Sequence, residues 1–385
     1  MDFRKIVANF DFVVIILVGA LMLVSFYLVG ELDENLASKQ LKYIVLGLCA
    51  ALVLFFIPYR KLNYSLVVVY VVLLLLLILV KFIGVEKNHA KRWIEIPFTT
   101  FSIQPSEFMK IALMLIIAWY ISKNPPPEEG YGWKDFCIIS SLVLIPFFVI
   151  LLEPDLGTAL IVFLAGFGVL FLIGVNKKVW IVLGIVGFLA VPIGSSIAFS
   201  SGLLKSYHQK RIDDFISGNY PYQVQQALIA IGSGGVIGKN KESATQSQLE
   251  FLPYASTDFI FAYFVERFGL VGALGLILLY MALIVYLLNI CFNAMKDYFL
   301  RVVSAYIAAL FFLYAGVNIC MVVGLAPVVG IPLPMISYGG TSFTTFIILL
   351  TILENALAFR LIFQYNSASP SQSGLLAQLV RALGS

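Results

Sequence analysis

Charge is what this chain has least of. Asp, Glu, Lys and Arg make up 12% of its 385 residues, against about 25% in soluble domains. A further 61% are hydrophobic and the mean hydropathy is +0.98, which excludes a water-soluble globular domain. Histidine is nearly absent: His89 and His208 fall in different loops and have no metal-ligand spacing. The few cysteines, Cys49, Cys137, Cys291 and Cys320, lie in or at the ends of apolar runs, which excludes a disulfide framework. Period-two alternation is missing, so a membrane β-barrel does not fit. Internal repeats and a matched pair of broken helices, the mark of many secondary transporters, are missing as well.

Long apolar runs are abundant. Crossing about 30 Å of hydrocarbon takes roughly 20 residues, and ten spans can be laid down: 12–30, 42–57, 64–84, 106–122, 135–152, 156–174, 178–200, 259–290, 302–325 and 341–363. Lipid offers no hydrogen bonds, so continuous runs of this kind must be helices. The expected fold is all-α, a polytopic membrane protein of ten transmembrane helices in one domain over residues 1–365. Arg4 and Lys5 ahead of Phe12 imitate a secretory signal, but the apolar stretch is too long and no clean small-x-small site follows, so it reads as a retained first span. The tail 366–385, with "SASPSQSGLLAQLVRALGS", departs in composition from the rest. It is expected to be appended or disordered sequence outside the fold.

An even number of spans puts both termini on one side. Twelve Lys and Arg fall on that side; eleven fall opposite, five of them in one long loop, which leaves six in short loops. The bias favours cytoplasmic termini and places the loop 201–257 on the outer face. A connection this long is usually functional or disordered. Its "YQVQQALIAIG" (222–232) has helical apolar spacing and is expected to be ordered at the membrane surface. Its "GSGGVIGKN" imitates a phosphate loop, but Ser233 stands where a glycine is needed and Asn240 where Ser or Thr would bind magnesium. The glycines are expected to serve tight turns.

Charges within the apolar spans need a partner or a cavity. "QPSEFMKIAL" puts Glu107 and Lys110 on one helical face, either as a structural ion pair or as an acid and a base lining a cavity. "LLEPDLGTA" places Glu153 and Asp155 in an outer turn, where an acid is cheap; Asp155 gains weight only if it meets Asp258 in space. In "STDFIFAYFVERFG" (256–269), Asp258 is either an acid at a helix start or a functional group. Glu266 and Arg267 are adjacent and cannot face each other, so they are expected to pair with neighbouring helices. "GLAPVVGIPLPMISYGGTS" (324–342) carries three prolines and four glycines. Backbone this broken is tolerated at membrane depth only where it is buried in protein or lines a polar cavity, so it is expected to be re-entrant and to shape a pocket.

"GIPLPMISYGGTS", "IAIGSGG", "TQSQLEFLP" with "TDFIFA", and "EPDLGTA" together resemble the shape, elongation, division and sporulation (SEDS) family of peptidoglycan polymerases. The resemblance runs from the first span to about Arg360, and "GLAPVVGIPLP" is closer to the elongation branch than to the division branch. It implies a glycosyltransferase that polymerises lipid II on the outer face of the bacterial cytoplasmic membrane during elongation of the cell. The implied partners are a class B penicillin-binding protein, other membrane proteins of the elongation complex and membrane lipid, with no nucleic acid. By the same resemblance Asp258 matches the family's essential aspartate, Glu107 and Lys110 a functional acid and base, Asp155 a second aspartate and Trp93 of "KRWI" a loop tryptophan. Arg211 of "QKRIDDF" is a looser match. Arg211, Lys110 and Lys239 are candidate cations for a leaving pyrophosphate, and Ser337, Tyr338 and Ser342 are taken as substrate-binding. The chain departs from the family at Tyr254, Ala255 and Ser256, where a basic residue and a histidine are usual, and at Arg267, where an acid is usual.

The expected reaction is an inverting transfer with Asp258 as general base. No organic cofactor is implied; a divalent metal, Mg or Mn, held by Asp155 with Asp258, is open but has no ligand motif behind it. Two alternatives stand beside the polymerase: a lipid II flippase or transporter, whose essential charges should lie at mid-membrane, and a scaffold for a penicillin-binding protein.

Overall fold

The computed structural model describes residues 10–87, 90–95, 102–153, 155–184, 217–244, 251–294 and 296–359. The named helices are α1 (Phe12–Leu32), α2 (Glu34–Leu54), α3 (Tyr64–Ile83), α4 (Pro105–Lys123), α5 (Trp133–Leu152), α6 (Leu156–Ile173), α7 (Tyr222–Gly234), α8 (Ile260–Asn293), α9 (Tyr298–Val322) and α10 (Gly340–Ala358). Among the described residues, nine of them, all but α7, are long and apolar enough to cross a membrane. The expected seventh span is helical over 177–184 and otherwise lies outside the described residues, as do Arg211 and the tail.

Short acids set several helix starts. Asp11 accepts from the amides of Val13 and Val14 ahead of α1, Asp33 from Asn35 ahead of α2, and Asp297 from Leu300 ahead of α9. Each satisfies amides that a helix start leaves open. For this reason α2 and α9 begin at 34 and 298, earlier than their apolar runs.

The most buried spans define the centre. In α4 and α10, 78% of the apolar window is buried, against 11% in α2 and 22% in α3. Leu23, Leu52, Tyr64 and Phe82 stay exposed on α1 to α3, as a surface facing lipid requires. Around the centre α9 packs on α8, α6 and α4, while α10 packs on α2.

The apolar runs gave no sign of the small antiparallel sheet between α3 and α4. Its strands are β1 (Val85–Lys87), β2 (Ala90–Glu95) and β3 (Ser102–Ile103). Val85 lies opposite Trp93, and Ile94 opposite Ile103. The all-α expectation thus holds for the spans but not for this loop.

Helix α8 is broken at Gly269 (φ 64°, ψ −165°). Beyond the break the amides of Leu270 and Val271 donate to the carbonyls of Gly235 and Val236, and the amide of Lys239 donates to Glu266. A Cβ on Gly269 would lie 2.4 Å from the Gly238 nitrogen, and the positive φ adds strain for any other residue. The segment "GSGGVIGKN" is therefore a clasp around a helix break. Arg267, next to it, donates to both carboxylate oxygens of Glu31 on α1, at 2.9 and 2.7 Å, and Tyr27 and Tyr263 donate to the same group. Arg267 pairs with a neighbouring helix, as expected, and Glu266 is fully buried.

Candidate active site

The helices alternate in direction, so the starts of α4, α6 and α10, the end of α9 and the turn before α8 share one end of the bundle. The broken segment between α9 and α10 lies there, with Ile331, Leu333, Met335, Ile336 and Ser337 buried. Ser25 of α1 donates to the Ile336 carbonyl at 2.7 Å, and Tyr280 of α8 donates to Pro334. The irregular backbone is thus enclosed in protein, the condition that makes it tolerable at membrane depth.

This segment holds the turn that carries Asp258. Three consecutive carbonyls each accept one hydrogen bond: Ser256 from the Tyr338 amide at 2.8 Å, Thr257 from Ser337 Oγ at 2.7 Å, and Asp258 from Asn318 Nδ2 at 2.8 Å. Ser337 Oγ also accepts from the Leu333 amide at 2.7 Å, so its hydroxyl positions the loop with no donor left over. Ser337, expected to bind substrate, thus has its hydroxyl proton engaged within the protein. Asp258 is partly exposed. Its Oδ2 is 3.6 Å from where a Cβ on Gly330 would stand, so the carboxylate lies over that glycine. The cap position of α8 is Phe259, so Asp258 stands one residue ahead of the helix start.

Asp155 flanks the other side of the same turn. It caps α6 through the Thr158 amide at 3.1 Å, accepts from Gln104 Nε2 at 3.0 Å and pairs with Arg92 at 3.4 Å. A Cβ on Gly157 would lie 2.9 Å from the Val329 carbonyl, so the start of α6 packs on the turn whose Gly330 lies beside the Asp258 carboxylate. Both Asp155 oxygens are engaged by protein donors. Among the described residues no three His, Cys, Asp or Glu side chains gather as a metal cluster. Glu153, two residues earlier, is buried, and neither of its oxygens has a hydrogen-bond partner. Burial and the Asp155 charge push its carboxyl up to about 8 against the pull of Arg92.

Below this layer Glu107 and Lys110 are both buried, with Lys110 Nζ 2.8 Å from Glu107 Oε1. The Tyr314 hydroxyl of α9 accepts from the same Nζ and lies 3.5 Å from Glu107 Oε1. Glu107 Oε2 has no partner. The i,i+3 spacing made the pair legible in sequence; Tyr314, two hundred residues away, carried no signal there.

The remaining candidates divide. Tyr338 is held through its amide, with its ring 6.0 Å from that of Tyr43. Ser342 is partly buried in the first turn of α10, and Trp93 is partly buried in β2. Lys239 sits at the α8 break, beside residues 266 and 267, roughly 12 Å along the helix from Asp258. The structure does not bring its backbone to the site. Arg211 lies outside the described residues.

The family model described as cell cycle protein, covering FtsW, RodA and SpoVE, matches residues 3–361. A peptidoglycan glycosyltransferase MrdB from Helicobacter pylori is 49% identical over 383 residues, 99% of each chain. The Escherichia coli K12 protein of the same name is 36% identical over 320 residues, 80% of this chain and 82% of its own. Two solved structures are similar. A chain from a peptidoglycan synthase complex described as coordinating polymerization and crosslinking superimposes with a TM-score of 0.77 at 26% identity, covering 91% of this chain and 98% of that one. The rod shape determining protein RodA of Thermus thermophilus gives 0.67 at 27% identity, covering 91% and 97%.

Proposed function

This chain belongs to the FtsW, RodA and SpoVE family and is a multi-pass membrane peptidoglycan glycosyltransferase of the elongation type; on that premise we propose that Asp258 is its general base. The acceptor is a sugar 4-hydroxyl, a poor nucleophile at neutral pH, and a positioned carboxylate takes its proton as the bond to the donor's anomeric carbon forms. The bond from that carbon to the pyrophosphate oxygen breaks, and the lipid pyrophosphate leaves with the bonding pair. A base and a leaving group on opposite faces of the sugar invert the anomeric centre, so an α-linked donor yields a β-linked glycan.

The observation that carries this reading is the fixing of Asp258. Three successive carbonyls are tied to the broken segment and to α9, while the carboxylate beyond them stays partly exposed over Gly330. A general base must be held within hydrogen-bond reach of one proton, and these backbone ties fix the turn that carries the carboxylate. The site faces the outer side of the cytoplasmic membrane with both termini cytoplasmic, as the Lys and Arg bias supports. The substrate is lipid II, whose lipid tail lies against the apolar helix surfaces, and the crosslinking partner is a class B penicillin-binding protein. The developing charge on the pyrophosphate calls for cations placed in advance, and Arg211 from the long loop is the first candidate.

Purified protein, with and without a class B penicillin-binding protein, is incubated with labelled lipid II and the products are resolved as glycan ladders. Wild type makes ladders and Asp258→Ala makes none. Normal ladders from Asp258→Ala overturn the base assignment.

A further inference from the structure

We propose that Asn318 is the positioning residue for Asp258, an inference that rests on the reading of Asp258 as base. Asn318 lies near the end of α9, is fully buried and stands in an otherwise apolar stretch, "AGVNICMVV". Its Nδ2 donates both hydrogens, one to the carbonyl of Asp258 itself at 2.8 Å and one to the carbonyl of Ile331 at 2.7 Å. Ile331 follows Gly330, the residue over which the Asp258 carboxylate lies. One amide group therefore sets the distance between the base and the turn beneath it.

The two carbonyls also fix which way the amide points, because only the nitrogen can donate to them. That leaves Oδ1 facing away, and it is buried without a partner. A buried acceptor left bare costs about 1–3 kcal/mol. A leucine of nearly the same shape would remove that cost but take the donor away from both carbonyls, so what the asparagine supplies is the link between them. Its neighbours in the turn have other holders: Ser337 and Tyr338 tie Thr257 and Ser256. Loss of the Asn318 amide thus removes the tie to the Asp258 carbonyl and leaves the ties to Ser256 and Thr257 in place.

The test measures polymerisation by the purified full-length protein with its penicillin-binding partner on lipid II, for Asn318→Leu, Asn318→Asp and Asp258→Asn. A displacement of about 1 Å at a reacting group costs up to about 100-fold in rate, so Asn318→Leu is expected to lower kcat by about 10- to 100-fold. Its KM should stay within about twofold of wild type, because the loss falls on the chemical step. Asn318→Asp keeps the shape but adds a carboxyl near Asp258, and like charges raise a carboxylate's pKa; the acid limb of its pH profile should move to higher pH, which reports that position 318 lies beside the group that titrates in the reaction. Asn318→Leu adds no charge and should leave that limb in place. If Asn318→Leu keeps wild-type kcat and Asn318→Asp keeps the wild-type profile while Asp258→Asn is inactive, the positioning role is wrong and the base assignment stands. If Asp258→Asn is active, the base assignment itself has failed. Should Asn318→Leu not fold, Asn318→Gln decides: its longer side chain keeps the amide donors but displaces the carbonyls they hold, so a kcat lowered at unchanged KM supports the inference and a wild-type kcat overturns it.

Discussion

Replacing Lys110 by methionine removes a fully buried cation and strands Glu107 in the interior. At a separation of 2.8 Å the attraction between two unit charges is about 6 kcal/mol at an effective dielectric near 20. Much of that is offset by the cost of taking both groups out of water, so the pair adds little net stability as a pair. Removing one partner is different, because the remaining charge is left uncompensated, and such changes cost about 3–5 kcal/mol. Neither group has water to fall back on: Lys110 is 0% and Glu107 5% exposed. Tyr314 can hydrogen-bond whichever of the two remains but brings no charge.

The two readings of the pair then part in a double-mutant cycle. Unfolding entropy near 2.1 cal/mol/K per residue makes 3–5 kcal/mol worth about 4–6 °C in a chain of this length. Lys110→Met and Glu107→Gln should each melt lower by about that much in detergent, and the double variant should regain most of the loss. All three should fail to make glycan ladders. Additive losses in melting temperature refute the claim that the groups are coupled. A double variant that is both stable and active shows that the pair is structural, and the acid and base reading then falls.

Two further changes test other parts of the fold. Glu153 holds its proton up to about pH 8 when folded, whereas an ordinary glutamate has lost it above about 4.5; stability therefore falls as pH rises through that window and levels off above it. Glu153→Gln should melt with wild type near pH 5 and above it at pH 8 and beyond, and parallel curves across the range contradict the buried neutral acid. Gly269→Ala should lower the melting temperature by more than an ordinary Gly-to-Ala change, because a Cβ there meets backbone at 2.4 and 2.5 Å and the positive φ is strained; an unchanged melting curve contradicts the clasp around the break.

The spans were legible because hydrocarbon imposes one requirement, a long apolar run, and each run states it locally. The ends of α2 and α9 were not, since the acids that start them, Asp33 and Asp297, lie outside the runs. Gly269 sits in "FGLVGALGL", where several glycines look alike and only the crossing of residues 235–239 selects one of them. The sheet between α3 and α4 escaped because its strands are two to six residues long, too short for a period to show. At the site, Glu107 with Lys110 and the motif around Asp258 were readable. Tyr314, Asn318 and the bare Glu153 were not, because what marks them is a partner, or the lack of one, far away in the chain.

Two of those residues, Tyr314 and Asn318, share a helix. Tyr314 and Asn318 are four apart on α9, so they lie on one face about 6 Å along its axis. The lower one meets Lys110 and Glu107 of α4, and the upper one meets Asp258 and Ile331. A rigid helical turn therefore connects the buried ion pair to the backbone of the proposed base. Charges at this depth need a partner, and the Tyr314 hydroxyl that meets Lys110 and Glu107 stands on the same helix whose Asn318 holds the Asp258 carbonyl.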